Sequence, residues 1–366
     1  MPVIPDLPIV EVLPALRDAL REHRRAVVSA PPGAGKSTVV PLALLDEPWI
    51  GHDDRIVMLE PRRLATRAVA RRMAHLAGDG VGGLVGYQTR DERRIGPATR
   101  IEVLTEGVLT RRLQHDPELP GVAIVIFDEV HERNLTTDLG LAFALEAATL
   151  RPDLRIMAMS ATADTARFAA LIGVDGPAPV VTGEGRTHPI EVRWLPRQRA
   201  DRLERAAAAA VMLSLRSDPG DVLVFLPGIG EIMRTADELR AVVGADVDVR
   251  PLAGALSLEE QDMALAPSPA GRRRVVLSTD IAETSLTVEG VRVVVDSGLA
   301  RAPRFDAGTG MTRLTTVAIS RDSADQRAGR AGRTEPGVAY RLWSRMEHGP
   351  RPVHRSPEIG QVDLAG

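Results

Sequence analysis

The chain contains no cysteine. That excludes disulfides and thiolate metal sites. Aromatic residues make up only 3 % of the 366 residues, while 44 % are hydrophobic. The cores must therefore be aliphatic, and there is little aromatic surface on which a base could stack. No run approaches the ~18 apolar residues of a membrane span. Residues 1–14 lack a basic stretch followed by an apolar one, so no secretory signal is expected and a cytoplasmic protein is. Lysine is nearly missing as well: Lys36 stands alone among arginines. The net charge of −3 argues neither for nor against a polyanionic partner. Any polyanion site must be local, formed where arginine-dense stretches such as Arg62–Arg72, Arg90–Arg100, Arg272–Arg274 and Arg327–Arg333 converge.

The single lysine sits in Ala30-Pro31-Pro32-Gly33-Ala34-Gly35-Lys36-Ser37-Thr38. An ammonium is a compact charge on a flexible stem, suited to reaching between β- and γ-phosphates. Glycines at 33 and 35 allow backbone N–H groups to approach phosphate oxygens, and a helix beginning near Lys36 adds its positive end. Ser37 supplies a hydroxyl for Mg²⁺. The loop pattern is usually written with glycine six residues before the lysine, where this chain has Ala30. A glycine turn before an ordinary helix is the plainer reading. The flanks argue against it: Arg25–Ala30 reads as a short buried strand and Lys36–Leu45 as a helix.

Apolar strands alternate with helices along the chain, which predicts an α/β protein with parallel sheets. Strands are expected at Ala26–Ala30, Arg55–Leu59, Arg100–Leu104, Val122–Asp128 and Leu154–Ser160. Helices are expected at Lys36–Leu45, Arg63–Ala77, Thr105–Gln114, Thr137–Ala148 and Ala163–Leu171. Val122–Asp128 is apolar until its last residue, so a buried strand delivers a carboxylate to the edge where such sheets bind ligands. Glycine and proline crowd Gly173–Pro189 and mark a boundary. The alternation then restarts without a second phosphate loop. Strands are expected at Val192–Leu195, Val222–Leu226, Asp246–Pro251, Arg274–Ser278 and Gly290–Asp296, helices at Asp201–Arg216, Ile229–Val243 and Ser257–Leu265, and a hairpin over Gly298–Ile319. The division is residues 1–180, 181–350 and a polar tail from 351 to 366.

Several segments, taken together and in order, resemble superfamily 2 helicases of the DEAH/RHA group. They are Pro61-Arg62-Arg63, Thr105-Glu106-Gly107, Asp128-Glu129-Val130-His131 and Ser160-Ala161-Thr162 in the first half. In the second they are Phe225-Leu226-Pro227-Gly228, the run from Ser278 to Thr287, and Gln326-Arg327-Ala328-Gly329-Arg330-Ala331-Gly332-Arg333-Thr334. The resemblance covers residues 20 to 345, and the wording around the phosphate loop looks most like the bacterial HrpB branch. It implies two tandem RecA-like domains, with Ser356–Leu364 similar to the entry of a winged helix and the chain similar to a truncated helicase core.

The resemblance also implies roles. Gly33, Ala34, Gly35, Lys36, Ser37 and Thr38 would hold the phosphates of ATP. Ser37, Asp128 and Glu129 would serve Mg²⁺, with Glu129 polarising the attacking water. Arg330 and Arg333 would act as arginine fingers, with Gln326 helping to hold the water. The glycines at 329 and 332 weaken a helix by about 1 kcal/mol each, which suggests close backbone approach at both. His131, Ser160 and Thr162 would couple nucleotide to nucleic acid. Arg72 matches the arginine that relatives place on adenine, whereas the matching aromatic position falls near Ala264, and Glu289 would reach the ribose. Single-stranded RNA would be held through its backbone, without sequence preference, by Arg63, Thr105 and Thr279. The expected protein is a monomeric ATP-dependent RNA helicase or translocase moving 3′ to 5′. An RNA-stimulated ATPase that remodels RNA–protein complexes is the nearest alternative. A P-loop kinase or metabolic ATPase is the alternative of another class, and it would have no reason to carry Gln326–Arg333.

Overall fold

The computed structural model describes residues 3–161, 165–185, 188–198, 200–269, 271–283, 288–306, 308, 311–333 and 335–361. The chain divides into two compact units, Met1–Arg186 with Pro357–Ile359 and Thr187–Ser356 with Gly360–Gly366.

The first unit is built on eight strands: β1 (Arg25–Ser29), β2 (Arg55–Leu59), β3 (Val85–Gln88), β4 (Arg93–Arg94), β5 (Ile101–Leu104), β6 (Val122–Phe127), β7 (Arg155–Ser160) and β8 (Val180–Thr182). Their order in the sheet is β4-β3-β5-β2-β6-β7-β1-β8, parallel throughout except for the β3–β4 pair. Successive side chains on a strand point to opposite faces, and the core obeys that alternation. Val28, Ile56, Met58, Ile126, Met157 and Met159 face one cluster, which is closed by α1 (Leu13–Glu22), α2 (Lys36–Leu44) and α3 (Arg63–Leu76). Val27, Val57, Leu59, Phe127, Ile156 and Ala158 face the other, closed by α4 (Glu106–His115), α5 (Leu135–Leu150) and α6 (Ala166–Ile172). With helices on both faces, β6 is buried along its whole length.

The order of the sheet places β7 between β6 and β1. The segments leaving the C-terminal ends of these three strands therefore lie side by side. They are Asp128-Glu129, Ser160-Ala161 and the phosphate loop.

The second unit has six parallel strands, β9 (Ile190–Trp194), β10 (Asp221–Phe225), β11 (Val247–Leu252), β12 (Arg273–Ser278), β13 (Val291–Asp296) and β16 (Gly337–Arg341). Their order is β11-β12-β10-β13-β16-β9. β14 (Leu299–Asp306) and β15 (Met311–Ala318) form the expected hairpin as a separate antiparallel pair. Helices α7 (Leu203–Ser217), α8 (Ile229–Arg240), α9 (Leu258–Leu265), α10 (Arg321–Gly329) and α11 (Arg345–His348) complete the unit. Ser257 begins α9 with a reciprocal capping box to Glu260.

The α/β expectation holds, and the expected elements sit within a few residues of their positions. The differences are additions. α1, β3, β4, β8, β16, α10 and α11 had no expected counterpart. β8 lies inside the Gly/Pro-rich boundary segment, where Val180–Thr182 pairs in register with Val27–Ser29. The first unit therefore extends past residue 180.

Candidate nucleotide site

Gly33 and Gly35 have φ of 86° and 99°, the left-handed region open to glycine. A Cβ on Gly35 would also come within 2.9 Å of Leu7 Cδ1. The loop thus needs glycine there for both reasons. Gly35 caps α2, and Lys36 begins it. Lys36 is 5 % exposed and folds back over the loop, its Nζ donating to the Ala30 carbonyl and, at 3.2 Å, to that of Pro31. Ala30, where a glycine is usual, is buried, and its N–H donates to the Ser160 carbonyl at 3.2 Å. The start of the loop is pinned to β7.

Asp128 follows β6 and is fully buried. Its backbone N–H donates to Leu59 O at 3.0 Å, and its Oδ1 accepts from the Glu129 N–H at 2.8 Å. Burial, and next the adjacent Glu129 charge, push its carboxyl up to about 7, against the opposing pull of Lys36 and a hydrogen bond with the Ser37 side chain. Oδ2 is buried with no hydrogen-bond partner. An unpaired buried carboxylate oxygen beside a serine hydroxyl fits Mg²⁺, a hard cation that takes one or two protein oxygens and otherwise keeps water and phosphate. No group of three or more His, Cys, Asp or Glu suited to a metal occurs among the described residues, so an all-protein cage is not what these residues offer.

Glu129 is 5 % exposed and sits at φ 52°, unusual for a residue with a side chain. Its Oε2 is 3.4 Å from His131 Nε2. On the other side of the ring, Nδ1 accepts from the Ala161 N–H at 3.3 Å and lies 3.4 Å from Ser160 Oγ. With Nδ1 accepting a backbone N–H, a neutral ring carries its proton on Nε2, toward the Glu129 carboxylate. His131 thus stands between the two, hydrogen-bonded to the end of β7 and in 3.4 Å contact with the carboxylate, outside hydrogen-bond geometry. Thr162, expected to share in this coupling, lies outside the described residues.

The remaining expected residues of the first unit stand on its surface or rim. Arg72 is exposed on α3. Arg63 is exposed and ion-paired with Asp91. Thr105 is half-buried and caps α4 with its backbone alone.

In the second unit Gln326 is half-buried on α10. Arg330 ends that helix, is buried, and donates to the Glu283 carbonyl. Arg333 is half-buried in the turn that follows. Gly332 bears out the expected close approach, since a Cβ there would lie 2.7 Å from Ile190 Cγ1 and 2.8 Å from His188 O. Gly329 does not: a Cβ there would meet nothing within 4 Å. Thr279 is half-buried and accepts from Ile281 N–H at 3.4 Å. Glu289 is exposed, its carbonyl held by Arg274. Ala264 is buried on α9 beside a cavity of about 460 Å³ that has no aromatic residue in its lining.

Arg327 was missed from sequence. It is 1 % exposed, with Glu283 Oε2 at 2.8 Å, Asp296 Oδ1 at 3.0 Å and the Phe225 ring 4.9 Å away. Burial works against its charge, yet Asp296 and Glu283 outweigh burial and raise its pKa above the usual arginine value. Only the distant acids, 44 and 31 residues away, mark it as structural.

The DEAD/DEAH box helicase family matches residues 12–169, and the helicase conserved C-terminal domain matches residues 203–335. The chain is 49 % identical to the ATP-dependent RNA helicase HrpB of Escherichia coli strain K12, over 98 % of this chain and 44 % of that protein. It is 37 % identical to mouse DHX34, a probable ATP-dependent RNA helicase, over 98 % of this chain and 32 % of that protein. The crystal structure of Escherichia coli DEAH/RHA helicase HrpB superposes with a TM-score of 0.91 at 49 % identity, over 98 % of this chain and 45 % of that one. The chain spans less than half the length of these relatives.

Proposed function

Because this chain belongs to the DEAD/DEAH box helicases, we propose that it hydrolyses ATP with Mg²⁺ and uses the cycle to move along or unwind RNA, binding it as a single strand. The observation that carries the reading is the meeting of three strand ends in the first unit. Lys36 and the 33–35 amides lie beside Asp128-Glu129, and His131 lies between Glu129, 3.4 Å away, and Ser160-Ala161.

In the proposed reaction, Lys36 swings from the Ala30 and Pro31 carbonyls to the β- and γ-phosphates. The amides of Gly33, Ala34 and Gly35 and the N-terminal end of α2, with Thr38 in its first turn, hold the phosphate oxygens. Ser37 and Asp128 would hold Mg²⁺, which would offset charge on the phosphates. Glu129 orients the attacking water and draws its proton. The second unit supplies Arg330 and Arg333 to the γ-phosphate and Gln326 to the water, which requires Arg330 to leave the Glu283 carbonyl. Preorganised charge of this kind accounts for most of the rate in phosphoryl transfer. Arg72 and Glu289 would contact base and ribose. Arg63, Thr105 and Thr279 would hold the RNA backbone, with Arg63 exchanging Asp91 for phosphate. We carry over the 3′ to 5′ direction and the two RecA-like domains followed by the start of a winged helix on the same resemblance, with the boundary between the domains placed after β8 rather than at residue 180.

The test is steady-state ATP turnover with and without single-stranded RNA. The reading expects turnover that requires Mg²⁺ and rises with RNA of any sequence. Turnover indifferent to every nucleic acid, or transfer of the γ-phosphate to a small acceptor, would overturn it.

A further inference from the structure

The segment after Glu129 is held more firmly than presenting one carboxylate requires. Val130–Glu132 form a single tight turn closed by Glu132 N–H to Glu129 O at 2.9 Å. Glu129 and Arg133 bracket it, both with left-handed backbone at φ 52° and 55°, a conformation that residues with side chains rarely adopt. Arg133 is fixed by Asp138, through Nε at 3.2 Å and Nη2 at 2.9 Å. The Glu132 carboxylate is therefore placed rigidly with respect to Glu129.

That carboxylate reaches Arg62, at the start of α3, and Asn134, at the start of α5. Its Oε2 accepts from Arg62 Nη2 at 3.2 Å, and Arg62 caps α3 directly before Arg63. The same oxygen accepts from Asn134 Nδ2 at 3.2 Å. Asn134 also lies close enough to Glu106, the first residue of α4 directly after Thr105, to pull its carboxyl pKa down. Glu106 in turn accepts from the hydroxyls of Thr136 and Thr137, in the first turn of α5. Glu132 and Glu106 are both nearly buried. Burial, opposed by the Thr136 and Thr137 hydrogen bonds, raises the Glu106 carboxyl, and the nearby Glu132 charge adds to that rise. A neutral amide between two buried carboxyls keeps them together without a third charge.

We propose that Glu132 and Asn134 form a positioning bridge between the hydrolytic loop and the starts of α3 and α4, through which RNA held at Arg63 and Thr105 sets the geometry of Glu129. The inference rests on the function proposed above. Neither residue touches nucleotide or RNA in it. The bridge has one rigid end at Glu129 and two ends at the RNA face, so a shift of either helix start is passed to the water-orienting carboxylate.

The test uses Glu132→Gln and Asn134→Ala in the full-length protein, with ATP turnover measured against the concentration of oligouridylate. Asn134 caps α5 with its backbone and not its side chain, so its truncation leaves the helix end intact. Both variants should keep basal turnover and the half-saturating RNA concentration within about twofold of wild type. Maximal turnover at saturating RNA should fall about fivefold or more toward the basal rate, the usual size of a coupling effect. Adding Arg62→Glu to Glu132→Arg should recover part of the stimulation lost by Glu132→Arg alone. Full stimulation in both first variants would overturn the bridge, as would a loss expressed only as a higher half-saturating RNA concentration. A lowered melting temperature with stimulation intact would show a purely structural role and also overturn it. A wild-type protein that ignores RNA would defeat the functional reading itself, which separates the two failures.

Discussion

Asp128 is a carboxyl held where water cannot reach it, with a second carboxyl next in the chain. Its folded pKa of about 7 lies above the ordinary 3.8, so the folded protein binds this proton more tightly than the unfolded chain does. Between those values stability therefore falls as pH rises, and above about pH 7 the whole penalty is present. Asp128→Asn should thus raise the melting temperature of the nucleotide-free protein most above about pH 7, and the gain should fade as pH falls toward about 4. A gain independent of pH, or a loss at high pH, would contradict this account of the site. At this scale the sequence was legible where backbone demands are specific, as at Gly33, Gly35 and Lys36. It was silent where a role depends on partners far along the chain. Arg327 reads like its neighbours Arg330 and Arg333, yet its charge is spent on Glu283 and Asp296. Glu132 and Asn134 gave no signal, because α3 and α4 meet them only in three dimensions.

Among the elements, buried strands such as β6 announce themselves as continuous apolar runs ending in a polar residue. β3, β4 and β8 do not. They are two to four residues long and lie at or near sheet edges; β3 carries a glycine, β4 is two arginines, and β8 is a three-residue strand inside a glycine- and proline-rich segment. α10 is the element with most at stake in the second unit. Arg327→Ala leaves Glu283 and Asp296 buried beside an empty space, and breaking such a cluster costs about 3–5 kcal/mol. A chemical denaturation midpoint unchanged by that substitution would contradict the structural role given to Arg327. On the resemblance, α9 carries the position that would face the nucleotide base. Ala264 is buried, and the adjoining cavity offers no aromatic ring. Base stacking is worth about 1–3 kcal/mol, so GTP, CTP and UTP should be hydrolysed within about one order of magnitude of ATP. A preference for ATP beyond about a hundredfold, measured as kcat/KM, would reveal a base-reading contact that these elements lack.

For the molecule as a whole, every group proposed to act on phosphate, metal or water falls within two units of one chain: Lys36, Ser37, Asp128 and Glu129 in the first, Gln326, Arg330 and Arg333 in the second. Residues 1–366 should therefore show basal ATP turnover. With contacts mainly to phosphate, their RNA affinity should fall steeply as salt rises. RNA affinity insensitive to salt between about 50 and 200 mM would mean that bases, not phosphates, are held. The most direct test of the central claim is the Glu129→Gln protein, assayed for binding of a fluorescent ATP analogue and for ATP turnover at saturating RNA. Loss of the water-orienting carboxylate, with Lys36, Ser37 and Asp128 in place, should leave nucleotide affinity near wild type and reduce turnover by far more than tenfold. Turnover within about tenfold of wild type, a change of ~1.4 kcal/mol in the barrier, would contradict the account.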